Sequence, residues 1–378
     1  MAEYIALAMR LSLSRSALSK VQASVLIVVV LAGAALAIYG YSVSIKPART
    51  RLIVSTTTSL YESGLLDYLK TQYESRYPSF NVSFISQGTG LAIQTAMRGD
   101  ADMILVHAPS SELPFLTGGY GVNRKIIAYN FFIIVGPKSD PAGIAGMNAT
   151  AALKAIKAAG EQGKAVWASR ADGSGTYTKE VALWKAAGFS ATALAKEPWY
   201  LSTGSGMTAT LRVADQKLGY TLSDTATYLV NLKNQNINLA NLVNKGRDLL
   251  NVYSAIADNP NNPNMTKSNF QGSMQFIRFL ASVDGQGVIA KFGMDTVGQT
   301  LFGSYLQLIQ SQTDSLSTGV PVAQLVSWIQ SYAFFSGSEC PPQFQYQAGD
   351  LYGTATTTTQ GSITALQLMQ TAQLKRYN

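Results

Sequence analysis

The chain has 378 residues, well above the ~150 of a typical domain, and is long enough for two lobes with separate cores plus appendages. Its net charge of +8 comes from scattered Lys and Arg residues. The basic cluster interleaved with aromatics that nucleic-acid binders carry is missing, so no nucleic-acid partner is expected. A single cysteine, Cys340, and a single histidine, His107, provide no disulfide framework and no Cys/His metal cage. The sequence also lacks the G-x-S-x-G elbow of hydrolases and the phosphate loop of NTPases.

The N-terminal segment is predicted to anchor the chain in a membrane. After a charged leader at residues 1–20, the segment 21–45 contains no charged residue and approaches the ~20 apolar residues that span a bilayer. Its end, Ala37–Gly40, is a poor signal-peptidase site. The stretch Arg15–Lys20 resembles the pilin-like leader of some archaeal proteins, whose removal near Lys20 leaves the apolar segment in place. We therefore expect a retained single-pass anchor with the body extracytoplasmic. The alternative is a cleaved signal peptide.

From residue 51 onward, β-branched runs alternate with helical patterns. The runs predict strands at Leu52–Ser55, Val82–Ile85, Met103–Val106 and Phe131–Val135, with a helix of period 3.6 between the first two. This alternation predicts an α/β fold with a mostly parallel sheet. A turn-rich break then precedes a second α/β unit. The sequence thus predicts two lobes around a hinged cleft, with the first lobe at 51–137 and 251–304 and the second at 138–250.

Residues 305–378 form a C-terminal extension rich in Thr, Gln and Ser. It contains an amphipathic stretch, Val320–Phe335, and a threonine tract at 354–359. No motif in it indicates a function. We expect it to dock on the body as a strap.

Three loops at predicted strand ends are built from hydroxyls, glycines and one arginine. They are Thr56–Ser59, Gln87–Gly90 and Ser169–Thr176. Each opens toward a helix, where free N–H groups and the helix dipole favour negative charge. Hydroxyls and amides satisfy the oxygens of a buried dianion without a second buried ion, and Arg170 adds one charge-assisted donor. The loops therefore predict an oxyanion site.

The same residues also have ordinary structural roles. Ser and Thr at strand ends are commonly helix N-caps, and a further hydroxyl-rich helix start at Ser202–Thr208 has the same two interpretations. Asp172 either orients the Arg170 guanidinium or caps a local turn. For His107, without a visible base or nucleophile partner, a structural turn position is the expectation.

Sequence stretches in and around these loops resemble the tungstate-binding proteins of ABC importers. They are TTTSLYESGLLDYL, GDADMILVHAPSSE, YNFFIIVGPKSDPAGI, SRADGSGT and YTLSDTATYL, in the family's order between about Ile53 and Phe292. The resemblance implies a type II periplasmic-binding-protein fold and an ABC permease as partner. It also implies that the oxyanion is held by Thr58, Ser59, Thr89, Arg170, Ser174, Gly175, Thr176 and Thr208.

Two positions depart from that family and leave the selectivity open. Gly173 and Tyr177 bring SRADGSGT closer to the R-x-D-G-S-G-T loop of phosphate-binding proteins. We expect a solute-binding component of an ABC importer that captures tungstate (or molybdate), without cofactor and without enzymatic activity. The alternatives are a phosphate-binding receptor, a hydrolase using Asp172 or His107 in the same cleft, and a structural surface protein.

Overall fold

The structure, a computed structural model, describes residues 24, 25, 27–35, 49–244 and 246–347. The predicted leader at 1–20 and the end of the C-terminal extension, 348–378, lie outside these residues. Within the predicted anchor, residues 24, 25 and 27–35 are helical, and they belong to a unit separate from the body. Among the described helices, none combines the length and the apolar character needed to cross a membrane.

The body alternates strands and helices along the chain. The strands are β1 Thr50–Thr57, β2 Phe80–Gln87, β3 Met103–Val106, β4 Gly121–Gly136, β5 Trp167–Ser169, β6 Tyr200–Ser202, β7 Thr221–Asp224, β8 Ala240–Val243, β9 Leu250–Asp258 and β10 Gly303–Ser304. The α-helices are α1 Thr58–Glu62, α2 Leu65–Arg76, α3 Thr89–Met97, α4 Pro109–Thr117, α5 Ala149–Glu161, α6 Gly175–Ala186, α7 Ala191–Leu194, α8 Met207–Gln216, α9 Thr225–Lys233, α10 Phe270–Ala281, α11 Val283–Lys291, α12 Met294–Val297, α13 Tyr305–Gln310 and α14 Val322–Ala333.

The main sheet is mixed, and the prediction of a mostly parallel sheet is wrong, because only two of its seven strand pairings among the described residues are parallel. The strand order is β10-β4-β9-β3-β1-β2. As predicted, β1 is parallel to β2 and to β3. However, β9 is antiparallel to both β3 and β4. The reason is topological: β9 carries the chain back from the second lobe and enters the sheet between β3 and β4 in the opposite direction. No local pattern in the sequence records that direction.

Strand β4 joins the two lobes. It is 16 residues long, and its first part pairs with β9 while its last part pairs with β7 and β8. The two chain crossovers are adjacent because Phe131 pairs with Leu250. One apolar core, built around Trp167 and Trp184, draws its buried residues from Phe132 to Leu249. The last part of β4, from Phe132 onward, therefore packs in this core, ahead of the predicted boundary at 137.

Helix α2 shows how sequence pattern becomes packing in the first lobe. The predicted apolar positions Leu65, Leu66, Leu69 and Tyr73 are all buried against the sheet. Burial of each such side chain contributes about 1.5–3 kcal/mol. By packing on the sheet, α2 fixes the position of the segment before it, which consists of the end of β1 and helix α1.

The described part of the C-terminal extension packs on the first lobe. Helix α14 buries Leu325, Ile329 and Ala333 in a cluster with residues of β4 and β9. Arg124 on β4 is fully buried, pairs with Glu112 at 2.8 Å, and donates from Nη1 to the carbonyl oxygens of Ala333 and Glu339, both at 2.8 Å. A buried charge pair requires such additional hydrogen bonds to offset its desolvation. Residues 305–347 therefore form a strap held to the lobe by apolar contacts and by hydrogen bonds from Arg124.

Candidate functional site

Two of the predicted loops lie side by side at one edge of the main sheet. Strands β1 and β2 are parallel, and Thr57 pairs with Gln87. The carboxyl ends of both strands therefore release their chains at the same edge, as parallel strands must. Helix α1 begins at Thr58 and helix α3 at Thr89. Thr57 is the N-cap of α1, with its Oγ1 3.3 Å from the Leu60 N–H, so this hydroxyl has the ordinary capping role.

The loop before α3 touches the arginine loop of the second lobe. A Cβ atom added to Gly88 would lie 3.1 Å from the carbonyl oxygen of Asp172. Likewise, a Cβ on Gly175 would lie 3.0 Å from Thr89 Oγ1. Glycine at these two positions allows the backbones of the two lobes to approach each other. The lobes therefore meet at the predicted loops.

Arg170 bridges the lobes and is held by Asp172. Its side chain is 1% exposed, and its Nη2 donates to Thr58 Oγ1 at 2.7 Å. Nε donates to Asp172 Oδ2 at 3.2 Å, and Nη2 donates to the same oxygen. Asp172 Oδ1 also accepts from the Ser174 N–H at 3.2 Å. Both roles considered for Asp172 are therefore present: it orients the guanidinium and it closes a local turn.

Buried donors without a protein partner occur on both sides of this contact. Among the described residues, Thr89 Oγ1, Arg170 Nη1 and Thr176 Oγ1 have no hydrogen-bond partner. A buried polar group left unpaired costs about 1–3 kcal/mol, and more when it is charged. All three atoms are therefore candidate donors to an acceptor between the loops. Ser174 Oγ is the N-cap of α6 and accepts from the Tyr177 N–H at 3.1 Å, which leaves its own hydroxyl proton available.

His107 touches the site, although the sequence suggested only a turn residue. Its Nε2 lies 3.1 Å from Ser59 Oγ and its Nδ1 lies 2.9 Å from Asn251 Oδ1. Burial lowers the pKa of His107 to about 4; the hydrogen bond to Asn251 opposes this, and the charges of Arg170 and Lys179 lower it further. The imidazole is therefore neutral at pH 7. The one signal in the sequence was a lone histidine directly after a buried strand.

Thr208, predicted as a ligand donor, is occupied by a contact between the lobes. Its N–H and its hydroxyl both donate to Glu62 Oε2, each at 3.0 Å. Glu62 closes helix α1 in the first lobe, whereas Thr208 lies in the first turn of α8 in the second. Sequence analysis missed Glu62 because its partner lies 146 positions away and no local pattern marks it.

This contact leads to a prediction about lobe closure. Replacing Glu62 by alanine should weaken oxyanion binding about tenfold, because the loss of charge-assisted hydrogen bonds at a half-buried position costs on the order of 1.4 kcal/mol. Glu62→Gln keeps an acceptor and removes a negative charge near the cleft, so it should bind at least as tightly as Glu62→Ala. Calorimetric titration gives the affinities, and small-angle scattering gives the degree of closure. The exposed Glu197→Ala serves as the control. If Glu62→Ala binds with the same affinity as this control, the Glu62–Thr208 contact does not stabilise the closed lobes.

Asp224 adds a buried carboxyl close to the cleft. Its Oδ1 caps helix α9 by accepting from the Thr227 N–H at 2.9 Å, while Oδ2 has no partner among the described residues. Burial raises the pKa of Asp224; hydrogen bonds to Thr227 and the charge of Arg170 oppose this shift, and Glu62 adds to it. No local sequence pattern marks Asp224 as a site residue. In the described part of the chain, no group of three or more His, Cys, Asp or Glu side chains is arranged to hold a metal ion.

Two lobes joined by adjacent crossover strands, with hydroxyl- and arginine-bearing loops in contact between them, are typical of solute-binding proteins. A model described as the PBP superfamily domain matches residues 43–284. The tungstate-binding protein TupA of Peptoclostridium acidaminophilum is 36% identical over 256 residues, covering 68% of this chain and 86% of that protein. The solved structure of the tungstate ABC transporter from Geobacter sulfurreducens is 38% identical, with a TM-score of 0.57 over 65% of this chain and 100% of that one. TupA from Desulfovibrio alaskensis is 37% identical, with a TM-score of 0.56 over 67% of this chain and 97% of that one.

The chain therefore belongs to the PBP superfamily and, within it, to the family of tungstate-binding proteins of ABC transporters. The resemblance stated from the sequence motifs is confirmed. The mixed α/β fold of this superfamily is confirmed as well.

Proposed function

We propose that this protein is the extracytoplasmic solute-binding component of an ABC importer and captures tungstate, or the similar molybdate, between its two lobes. Bound tungstate is delivered to an ABC permease in the membrane. The relatives with tungstate in their names support this assignment. The protein acts by binding and release and performs no reaction.

The unpartnered donors carry this proposal. Thr89 Oγ1, Arg170 Nη1 and Thr176 Oγ1 come from both lobes, and each gains a partner only when an acceptor enters the contact between the loops. Tungstate is an acceptor on every oxygen and has no proton to donate at neutral pH. One buried guanidinium, together with hydroxyls and the N-terminal N–H groups of α3 and α6, suits such a dianion.

The proposed contacts follow the hydrogen bonds already present. Thr58 Oγ1 accepts from Arg170, so its own proton is free to point at a tungstate oxygen. Thr89 and Thr176 donate through hydroxyls, and Gly175 through its N–H. Ser59 and Ser174 complete the set. Ser174 Oγ accepts from the Tyr177 N–H, so its own hydroxyl proton is available to a tungstate oxygen. Thr208 contributes through its hydrogen bonds to Glu62 across the lobes and not by contact with tungstate.

Native mass spectrometry of the purified protein with one equivalent of sodium tungstate tests the proposal. We expect a mass increase that corresponds to one tungstate per chain and survives gentle desolvation. An equal adduct with the unrelated dianion malonate would mean a general anion site instead. If no tungstate is retained and none binds in calorimetry, the proposed function is wrong.

The segment 21–45 is proposed to hold the body at the membrane near its permease. Its uncharged sequence and the lack of a following cysteine for lipid attachment support a peptide anchor. Deletion of residues 1–45 should yield a water-soluble protein with unchanged tungstate affinity, because none of the proposed donors lies there. Fractionation of cells that express the full chain checks the anchor. Recovery of that product from the medium, with a new N-terminus after Gly40, would contradict it and indicate a cleaved signal.

A further inference from the structure

A buried hydrogen-bonded chain leads from the proposed tungstate site into the first lobe. It begins at Ser59, passes through the imidazole of His107, and continues to Asn251. Asn251 Nδ2 in turn donates to Asn130 Oδ1 at 2.9 Å and to the Tyr253 hydroxyl at 2.8 Å. All five side chains are at most 2% exposed. The chain therefore has no direct exchange of hydrogen bonds with bulk water.

The direction of these bonds fixes the proton on the imidazole. Because Asn251 Nδ2 donates to its two other partners, Oδ1 faces His107 and accepts from Nδ1–H. Nε2 of the neutral ring then has a lone pair and accepts the hydroxyl proton of Ser59. In this state the Ser59 hydroxyl has no proton left for an oxyanion. Ser59, which is expected to donate to tungstate, therefore donates to His107 instead.

We propose that His107 is a positioning residue that couples tungstate binding to the uptake of one proton from solvent. When the dianion enters, a proton adds to Nε2, and the new N–H donates to Ser59 Oγ. The Ser59 hydroxyl then rotates and donates its own proton to a tungstate oxygen. The net negative charge that binding adds to the buried site is thereby one unit smaller than for the bare dianion. This inference rests on the proposed function and specifies how the same site takes its ligand.

The charges around His107 agree with such coupling. Without ligand, burial together with the positive charges of Arg170 and Lys179 keeps its pKa at about 4. Two negative charges close to Ser59 counter those positive charges and raise the pKa of the ring. The other rings that face it, Tyr253 at 4.9 Å and Phe132 at 6.1 Å, carry no charge, because burial raises the pKa of Tyr253 well above its usual value.

Two neighbouring groups are rivals for the same proton. The pKa of Lys179 is lowered to about 8 by burial, against a raising effect of Asp248, so it titrates above neutrality. Asp224 has a raised pKa and an unpartnered oxygen. Measurements between about pH 6 and 7 keep Lys179 mostly protonated, since that window lies at least about one pH unit below its pKa. The contribution of Asp224 to proton uptake is measured separately with the variant Asp224→Asn.

Calorimetric titration of the full chain with sodium tungstate, in buffers that differ in ionisation enthalpy, measures the protons taken up. For the wild type we expect uptake that rises toward about one proton per tungstate as the pH falls, with an affinity gain of up to about tenfold per pH unit. In His107→Gln the uptake and the pH dependence should both vanish. Asp224→Asn keeps the cap on α9 and should retain the uptake. Ser59→Ala, which removes the acceptor of the new N–H, should reduce it, and this variant serves if His107→Gln does not fold.

The outcomes separate this inference from the function on which it rests. Tight tungstate binding by the wild type without proton uptake overturns the role of His107 alone. Uptake that persists in His107→Gln and disappears in Asp224→Asn also overturns it and assigns the proton to Asp224. If the wild type gives no heat with tungstate at any pH, the proposed function falls and this inference falls with it.

Discussion

Replacement of Arg170 by alanine is expected to weaken tungstate binding by about 30-fold to several thousand-fold. The guanidinium is 1% exposed, contacts Thr58 across the cleft, and has one unpartnered nitrogen among the described residues. Removal of one partner from a buried charge-assisted contact typically costs about 2–5 kcal/mol, which is the range of affinity loss given. Calorimetric titration with tungstate measures the loss, and circular dichroism shows whether the fold is retained.

Two further variants separate the causes of that loss. Part of the effect of Arg170→Ala comes from leaving Asp172 without its partner, so Arg170→Ala combined with Asp172→Ala should recover some affinity if this penalty is large. The exposed Arg212→Ala removes an equal charge from the same lobe and should bind as the wild type does. An Arg170→Ala protein that binds within a factor of three of the Arg212→Ala control would show that Arg170 is structural.

Local sequence patterns were sufficient for the parts of the site that follow from short-range chemistry. A β-branched run ending in hydroxyls and glycines predicted both the strand end and the following helix start at Thr57 and at Gly88. Asp172, two positions from Arg170, was within reach of it from any loop conformation, so their contact was predictable. In each of these cases the interacting groups lie within a few residues of one another.

The contacts that sequence analysis missed join positions far apart in the chain. His107 meets Asn251 across 144 positions, and Glu62 meets Thr208 across 146. The first contact exists because β9 enters the sheet from the second lobe. The second exists because the two lobes meet. The antiparallel direction of β9 was missed for the same reason. A single sequence indicates which residues form a strand, but the partner of that strand depends on the whole topology.

The proton on phosphate makes the strongest case for selectivity. Near neutral pH, phosphate keeps at least one proton and needs an acceptor in the site, whereas tungstate and molybdate need donors only. Asp172, the carboxylate two positions from Arg170, is already engaged: Oδ2 accepts from Arg170 and Oδ1 accepts from the Ser174 N–H. Asp224 Oδ2 has no partner among the described residues, and burial raises the pKa of this carboxyl. Phosphate therefore meets mainly donors in the proposed site.

We expect tungstate and molybdate to bind at least a hundredfold more tightly than phosphate and sulfate. For phosphate, the difference of about 2.7 kcal/mol is what one unpaired buried polar group costs. Sulfate carries no proton at neutral pH, so its weaker binding has another cause, its smaller size. Donors that belong to two different lobes cannot all reach a smaller oxyanion. Competition titration at fixed pH measures the ratios. If phosphate displaces tungstate at comparable concentration, an acceptor faces the ligand, and the phosphate receptor becomes the better assignment. Asp224→Asn and Asp172→Asn then identify it, since the variant that loses phosphate binding while keeping tungstate carries the acceptor.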